Sequence, residues 1–442
     1  MDYKNDIKYR KETLKKLLFN IQKNEDLIVK ALFDDFKKPE FEAVLTETNY
    51  VISELKTTIK NIDNWAKRVR VFPSLLNFPS TDYIYKEPYG DVLVIAPWNY
   101  PFQLALCPVI SAVAAGNKVV LKPSELTPNT SSIIAKIVEK SFHINHVEVV
   151  QGGIETSEKL LAKRWDYIFF TGSVQVGKIV AKAAAEHLTP ITLELGGKNP
   201  CIIDQTANLK LTAKRIVWGK FINAGQTCIA PDYILIQKNM KINFITYLIE
   251  EIIQAYGKKI KDSPDYARII NSKNWVRLTD MMATEKVIFG GESDDNDFYI
   301  SPTLIDEPEL ESAVMKEEIF GPLLPILVYE SENDIDAIIS KYEKPLAFYV
   351  FSENDSFIEK MISRYSFGGG CINDTVAHFS NKRLPFGGVG HSGMGAYHGK
   401  LSFDIFSHHK AIVKKANWLD LPMRYAPYKD KLKAIKRLLD WI

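Results

Sequence analysis

Phe169-Phe170-Thr171-Gly172-Ser173-Val174-Gln175-Val176-Gly177 is the stretch whose reading decides the fold. Two aromatic residues close an apolar run, and a glycine and a serine then lead straight into a helix-forming segment. A strand-to-helix turn of this kind gathers free backbone N–H groups and the positive end of a helix at one point, a setting suited to a phosphate. Only Gly172 and Gly177 are present, five positions apart, so this is not the GxGxxG fingerprint. Taken alone, the residues fit a plain tight turn equally well. The neighbours decide. Upstream, residues 92–96 form an apolar strand followed by a helix over 105–115, and 118–122 a second strand followed by a helix from Pro128 to about Lys140. Residues 147–150 are a third strand, with a helix over 157–163. Residues 167–170 lead through the quoted turn into a helix over 174–187, and 192–195 make a fifth strand. Apolar strands alternating with helices of this length mean a parallel sheet covered on both faces. Right-handed crossovers then give an α/β, Rossmann-like doubly wound domain.

On the N-terminal side, residues 4–70 read as long amphipathic helices. Leu14, Leu17, Leu18 and Ile21 recur at helical spacing, as do Val51, Leu55, Ile59 and Ile62, and Pro39 fits a break between two helices. A coiled-coil or partner-binding module would show the same pattern. Residues 71–88 look like an extended excursion with a strand at 83–86. Beyond the fifth strand, helices over 244–256 and 274–282 with intervening strands are enough for a second α/β domain. Phe386-Gly387-Gly388-Val389-Gly390-His391-Ser392-Gly393-Met394-Gly395 is so rich in glycine that it reads as a close-packed loop, neither helix nor strand. At the end of the chain, Leu432, Ile435, Leu438, Leu439 and Ile442 fall on one helical face with lysines opposite. Such a tail can lie on a membrane surface, although docking against the same or a partner subunit is the more common use.

A chain of 442 residues is too long for one core and calls for two or three domains. A hydrophobic content of 46% and a charged content of 25% are ordinary for a globular enzyme. The net charge of +2 gives no reason to expect nucleic acid as a partner. Cys107, Cys201, Cys228 and Cys371 are widely spaced with no CxxC pair, which argues against a disulfide framework and a zinc site and fits a reducing compartment. No signal peptide and no membrane-spanning run is read, so the expected location is cytoplasmic.

Several loops carry chemistry. In Phe221-Ile222-Asn223-Ala224-Gly225-Gln226-Thr227-Cys228-Ile229-Ala230-Pro231, small and polar residues precede a sulfur, leaving N–H groups free and letting a substrate approach. Cys228 is a nucleophile candidate if its thiolate is supported, and a buried structural cysteine otherwise. Asn99, in Ala96-Pro97-Trp98-Asn99-Tyr100-Pro101, is either an oxyanion donor or a cap of the following helix. Glu194, set between Leu193 and Leu195, should be desolvated with a raised pKa that suits a general base; the alternative is a half-exposed carboxylate at a strand end. Lys122 and Glu125, at the C-terminal end of the second strand, can reach a ribose, unless they are a solvated pair beside a turn. Glu317-Glu318-Ile319-Phe320-Gly321-Pro322 is a further charged, then apolar, loop.

The stretches around Asn99, Glu194, Cys228 and Glu318, in this order along the chain, resemble the aldehyde dehydrogenase superfamily, and the resemblance covers nearly the whole chain. Gln226-Thr227-Cys228-Ile229-Ala230-Pro231-Asp232-Tyr233 and Gly393-Met394-Gly395-Ala396-Tyr397-His398-Gly399 are similar to its class 3 branch. Asn199 stands where that branch usually has Ser, and His391 where it usually has Asn; little consequence is expected of either. The resemblance implies an NAD(P)-dependent enzyme, with NAD expected and NADP as the alternative. Cys228 would attack the aldehyde, Asn99 would hold the oxyanion, and Glu194 would activate water. The coenzyme would be bound by Lys122, Glu125, Gly172, Ser173, Gly177, Glu318, Phe320 and Trp98. Tyr100 and Trp218 would flank the substrate entrance, which suggests apolar or aromatic aldehydes. It also implies a homodimer, with residues 1–70 and 89–196 as coenzyme domain, 197–391 as catalytic domain, and 71–88 with 392–442 as oligomerisation segment and tail. Two other classes compete: a CoA-acylating or phosphorylating dehydrogenase, against which Glu194 speaks, and a non-catalytic relative, against which Cys228, Glu194 and Asn99 speak together.

Overall fold

The computed structural model describes residues 6–74, 77–429 and 431–440. The chain folds into an α/β structure built on two mostly parallel sheets. In the first, strand Asp91–Ile95 lies between Lys118–Lys122 and Tyr167–Thr171, with Val147–Val149 beyond the one and Ile191–Glu194 beyond the other. The chain therefore builds outward in one direction, returns to the centre, and builds outward in the other. That reversal, between Asp91–Ile95 and Tyr167–Thr171, opens a crevice at the carboxyl ends of the strands. All five residues of Tyr167–Thr171 are buried, as a strand covered on both faces requires. The helix over Gln103–Ala115 is buried all round and is apolar on every face.

The observed elements follow the expected alternation, with shifted ends. The helix expected over 157–163 begins earlier, at Ile154, after Gly153. The strand expected at 83–86 runs over Ser80–Pro88, because it is paired on both sides, with Val69–Val71 and with Ser407–Lys415. The glycine-rich stretch departs further from expectation. Gly393–Met394 is a strand, antiparallel to the end of Ile191–Glu194. A Cβ on Gly393 would lie 2.5 Å from the Leu193 carbonyl oxygen, so glycine is what allows the backbone to join the sheet there.

The second sheet has seven strands in the order Val287–Phe289, Thr303–Asp306, Leu323–Tyr329, Tyr233–Gln237, Pro200–Ile203, Ala347–Phe351 and Gly369–Ile372. All neighbours are parallel except the first pair. The N-terminal helices Ile7–Lys23, Glu25–Phe36 and Asn49–Trp65 pack with the first sheet, burying Leu14, Leu17, Ile21, Val51, Leu55 and Ile62 in a common core. Lys37–Pro39 breaks them, and a π-turn over Val44–Thr48 interrupts the return. No helix of the described residues is long and apolar enough to cross a membrane. The tail forms a helix over Leu432–Leu439; Ile442, expected on its apolar face, lies outside the described residues.

Candidate active site

Helix Leu209–Phe221 delivers the chain to a tight turn in which Asn223 (φ 56°), Ala224 (φ 53°) and Gly225 (φ 74°) are all left-handed. Two non-glycine residues in this region store strain, which persists only where the surroundings hold it. They do so here. The Asn223 N–H donates to Glu42 (2.9 Å), and its side-chain amide donates to the Asn99 carbonyl (2.9 Å) and the Gln226 carbonyl (3.1 Å). The Gln226 side chain is fixed at both ends, donating to the Arg268 carbonyl (2.9 Å) and accepting from the Ile270 N–H (3.0 Å). Cys228 follows, half-buried, with its thiol pushed up to about 12, first by burial and then by the negative charge of Glu318 and Glu194; its own N–H and that of Ile229 pull the other way.

Asn199 clamps the far side of this loop. Its Nδ2 donates to the carbonyls of Cys228 (2.8 Å) and Ala230 (3.0 Å), and its Oδ1 accepts from the Ala347 N–H (2.8 Å). A serine has neither the reach nor the donors for three such bonds, so Asn199 ties down the Cys228 loop in a way that a serine could not. Lys198 and Asp232 form a buried pair at 2.5 Å that holds a third loop. Lys198 donates to the carbonyls of Val314 (2.6 Å) and Glu317 (2.9 Å), while Asp232 accepts from the Ile319 N–H (3.0 Å).

Glu194 ends its strand almost fully buried, at 3% exposed, not half-exposed. Neither carboxyl oxygen has a hydrogen-bond partner among the described residues, and burial raises its pKa well above the ordinary value. Asn99 is not a helix cap. Its Nδ2 donates to the Gln226 carbonyl (3.1 Å), leaving a second N–H, and the following helix is capped by Glu47 instead.

Two cavities converge on these groups. One, about 290 Å³, is walled by apolar and aromatic side chains including Tyr100, Trp218, Val376, Phe379 and Tyr397. The other, about 740 Å³, is polar and runs past Trp98, Asn99, Gly172, Ser173, Glu318 and Phe320. They share only Thr171, Glu194, Leu195 and Cys228, so the thiol and the unpartnered carboxyl sit where the two spaces meet.

The larger cavity suits an elongated dianion. Ser173 caps the helix Val174–Glu186, accepting from the Val176 N–H, and presents that helix's positive end. Lys178, Lys198, Arg277, Lys316, Lys341 and Lys344 line the walls, and Trp98 meets Phe320 edge-on at 5.3 Å. A Cβ on Gly196 would lie 2.0 Å from a Glu318 carboxylate oxygen, so a larger residue there would have to displace the Glu318 side chain. Three expected residues stand apart from this wall. Lys122 and Glu125 pair with each other at the end of their strand. Gly177 packs behind the wall, where a Cβ would lie 2.6 Å from a Leu195 methyl. Sequence reading missed Lys38, Glu42 and Glu47. Only Glu47 left a trace, as a carboxylate within the apolar stripe Ala43, Val51 and Leu55 at four-residue spacing.

Comparison with known proteins gives a consistent result. The profile described as Aldehyde dehydrogenase family matches residues 3–412. The 4,4'-diaponeurosporen-aldehyde dehydrogenase of Staphylococcus aureus (strain NCTC 8325 / PS 47) is 50% identical over 433 residues, 98% of this chain and 94% of that protein. The dimeric NADP-preferring aldehyde dehydrogenase of Canis lupus familiaris is 43% identical, over 95% of this chain and 93% of that protein. A solved structure, the substrate-bound state of Staphylococcus aureus AldH, superposes with a TM-score of 0.97 at 49% identity, covering 99% of this chain and 96% of the other.

Proposed function

The chain belongs to the aldehyde dehydrogenase family and is an oxidoreductase acting on aldehydes, and from that premise we propose that it oxidises apolar aldehydes to carboxylic acids through a thioester on Cys228. The observation that carries this is the meeting of the two cavities at Cys228 and Glu194. The aldehyde enters through the apolar cavity, past Tyr100 and Trp218. The Cys228 sulfur adds to the carbonyl carbon, and the thiol proton is released. The oxygen of the tetrahedral adduct is held by the free N–H of Asn99 and the Cys228 backbone N–H, where one such donor is worth about 3 kcal/mol. A nicotinamide dinucleotide held in the polar cavity would supply the hydride acceptor, and loss of hydride from the adduct would leave a thioester on Cys228. Glu194 then takes a proton from water as the water attacks the acyl carbon, and the acid leaves with the thiol restored.

Ser173 and Gly172 would receive the pyrophosphate at the helix end and Glu318 one ribose, while Lys122, which stands beyond the lined wall in its pair with Glu125, would meet the other only where the coenzyme extends past that wall. Glu125 lies beside Lys122, so a 2′-phosphate there would meet like charge; NAD is the favoured coenzyme over NADP. The apolar walls and the substrate printed in the name of the S. aureus relative both favour long apolar aldehydes. Residues 1–70 with 89–196 serve the coenzyme, 197–391 the chemistry, and 71–88 with 392–442 a homodimer contact, in a cytoplasmic enzyme.

The test is a series of aldehydes graded by chain length and aromaticity, followed by reduced-coenzyme absorbance with NAD and with NADP. Long apolar substrates should give the highest kcat/KM, and NAD the better kinetics. Cys228→Ser should abolish turnover while leaving coenzyme binding intact, since an alcohol in that site has no base strong enough to ionise it. Steady turnover in that variant would overturn the assignment.

A further inference from the structure

The N-terminal helices carry three charged side chains that the proposed chemistry does not use. Lys38 and Glu47 are both fully buried, 2.8 Å apart. A buried ion pair is poor value as a stabiliser compared with apolar side chains of the same volume, so its retention points to a positional task. Glu47 accepts from the backbone N–H groups of Phe102 (3.1 Å) and Gln103 (2.8 Å), directly after the loop that bears Asn99 and Tyr100. Lys38 places its ammonium 3.9 Å from the centre of the Tyr100 ring. Glu42 accepts from the Asn223 N–H (2.9 Å), the first of the left-handed residues leading to Cys228.

One cation therefore stands between two carboxylates, and each carboxylate grips a different catalytic loop; Lys38 acts electrostatically on both. The π-turn Val44–Thr48 makes this possible. In an unbroken α-helix, positions five apart diverge by about 140°. The extra residue of the π-turn lets Glu47 reach Lys38, whose charge is also felt by Glu42. Such turns recur at functional sites.

We propose that Lys38, Glu42 and Glu47 are positioning residues that fix the Asn99 loop against the Cys228 loop. Those loops are joined by the Asn223 amide on the Asn99 carbonyl (2.9 Å), by the Asn99 amide on the Gln226 carbonyl (3.1 Å) and by the Tyr100 and Thr227 hydroxyls (2.7 Å), and the triad grips the chain on both sides of these bonds. The proposal rests on the roles assigned above to Asn99 and Cys228.

Two variants test it: Glu42→Gln, which keeps shape and an acceptor, and the charge-free pair Lys38→Met with Glu47→Gln, which avoids stranding a buried charge. Each is mixed with aldehyde and NAD, and the first burst of reduced coenzyme is recorded. The amplitude counts competent sites; the rate constant reads how well the loops are placed. Alkylation of Cys228 by iodoacetamide gives a second reading that needs no coenzyme. The expected result is a burst rate constant lowered about ten-fold or more, an altered alkylation rate, and a coenzyme KM within about two-fold of the parent. A lowered amplitude with a parental rate constant would show that the triad supports folding alone, and would overturn the proposal. So would parental burst and alkylation rates. Should the double variant fail to fold, Glu42→Gln decides by itself. If the parent turns over without a burst, the same variants are read in the Glu194→Gln background, where hydrolysis is stalled; a parent that survives Cys228→Ser would instead overturn the functional reading beneath it.

Discussion

Cys228 and Glu194 meet across one junction, and burial holds both toward their protonated forms. A thiol at about 12 is a weak nucleophile until its proton is taken, and Glu194 is the group at hand with both oxygens free. Its proposed duty, however, falls after the oxidation. Glu194→Gln preserves volume and removes basicity, so it should give one burst of reduced coenzyme, about one per site, followed by very slow turnover. An acyl adduct on Cys228 should then appear in the intact mass. No burst at all would move Glu194 to the earlier step of deprotonating the thiol. Glu318 offers a stability readout. Burial lifts its carboxyl from 4.5 to about 8, with Asp232 adding to the rise. The folded protein thus keeps a proton that the unfolded chain releases, and stability falls as pH climbs from about 4.5 to about 8. Glu318→Gln lacks that loss, so its Tm should gain on the parent across this window and level off above it. A Tm difference that is flat with pH would mean that the carboxylate is already ionised in the fold. At this scale the sequence picked out Cys228, Glu194 and Asn99, which the structure brings to the lining of one region, because each is marked by its immediate neighbours in the chain. Lys38 and Glu42 were not, since what they hold lies at Tyr100 and Asn223, far along the sequence. Asn199 was visible as an oddity, but its three bonds emerge only when three strands converge.

The strand and helix alternation of the first sheet was legible because each element carries its own period and its own turn. What escaped was pairing over distance. Ser407–Lys415 shows little apolar alternation and becomes a strand by lying along Ser80–Pro88. Gly393–Met394 becomes one because glycine can approach Leu193. The helix Val174–Glu186 shows how closely elements pack behind the site. Gly177 lets it settle on Leu195, whose side chain walls both cavities. Gly177→Ala should improve local helix propensity by about 1 kcal/mol yet overpack the contact by roughly 1–3 kcal/mol. The expected outcome is a small fall in Tm and a larger loss of kcat/KM, as Leu195 is pushed into the junction. A variant with parental kinetics would show that Leu195 has room to yield.

The three-stranded sheet of Val69–Val71, Ser80–Pro88 and Ser407–Lys415 exposes Val69, Val71, Ile412 and Val413. If it forms the proposed dimer contact, Ile412→Asp with Val413→Asp should shift the sedimentation coefficient from dimer to monomer while leaving Tm within a few degrees. An unchanged dimer would place the contact elsewhere. The whole molecule also divides its walls unequally. The apolar cavity draws on the N-terminal helices, helix Leu209–Phe221 and the loop around Phe379, whereas the polar one draws on the strand ends and the Glu317–Phe320 loop. Only Thr171, Glu194, Leu195 and Cys228 belong to both. If the two cavities hold the aldehyde and the coenzyme as proposed, mutation could explore new aldehydes on one set of surfaces while the redox partner's berth on the other goes untouched, and lineages could diverge in diet without relearning the chemistry.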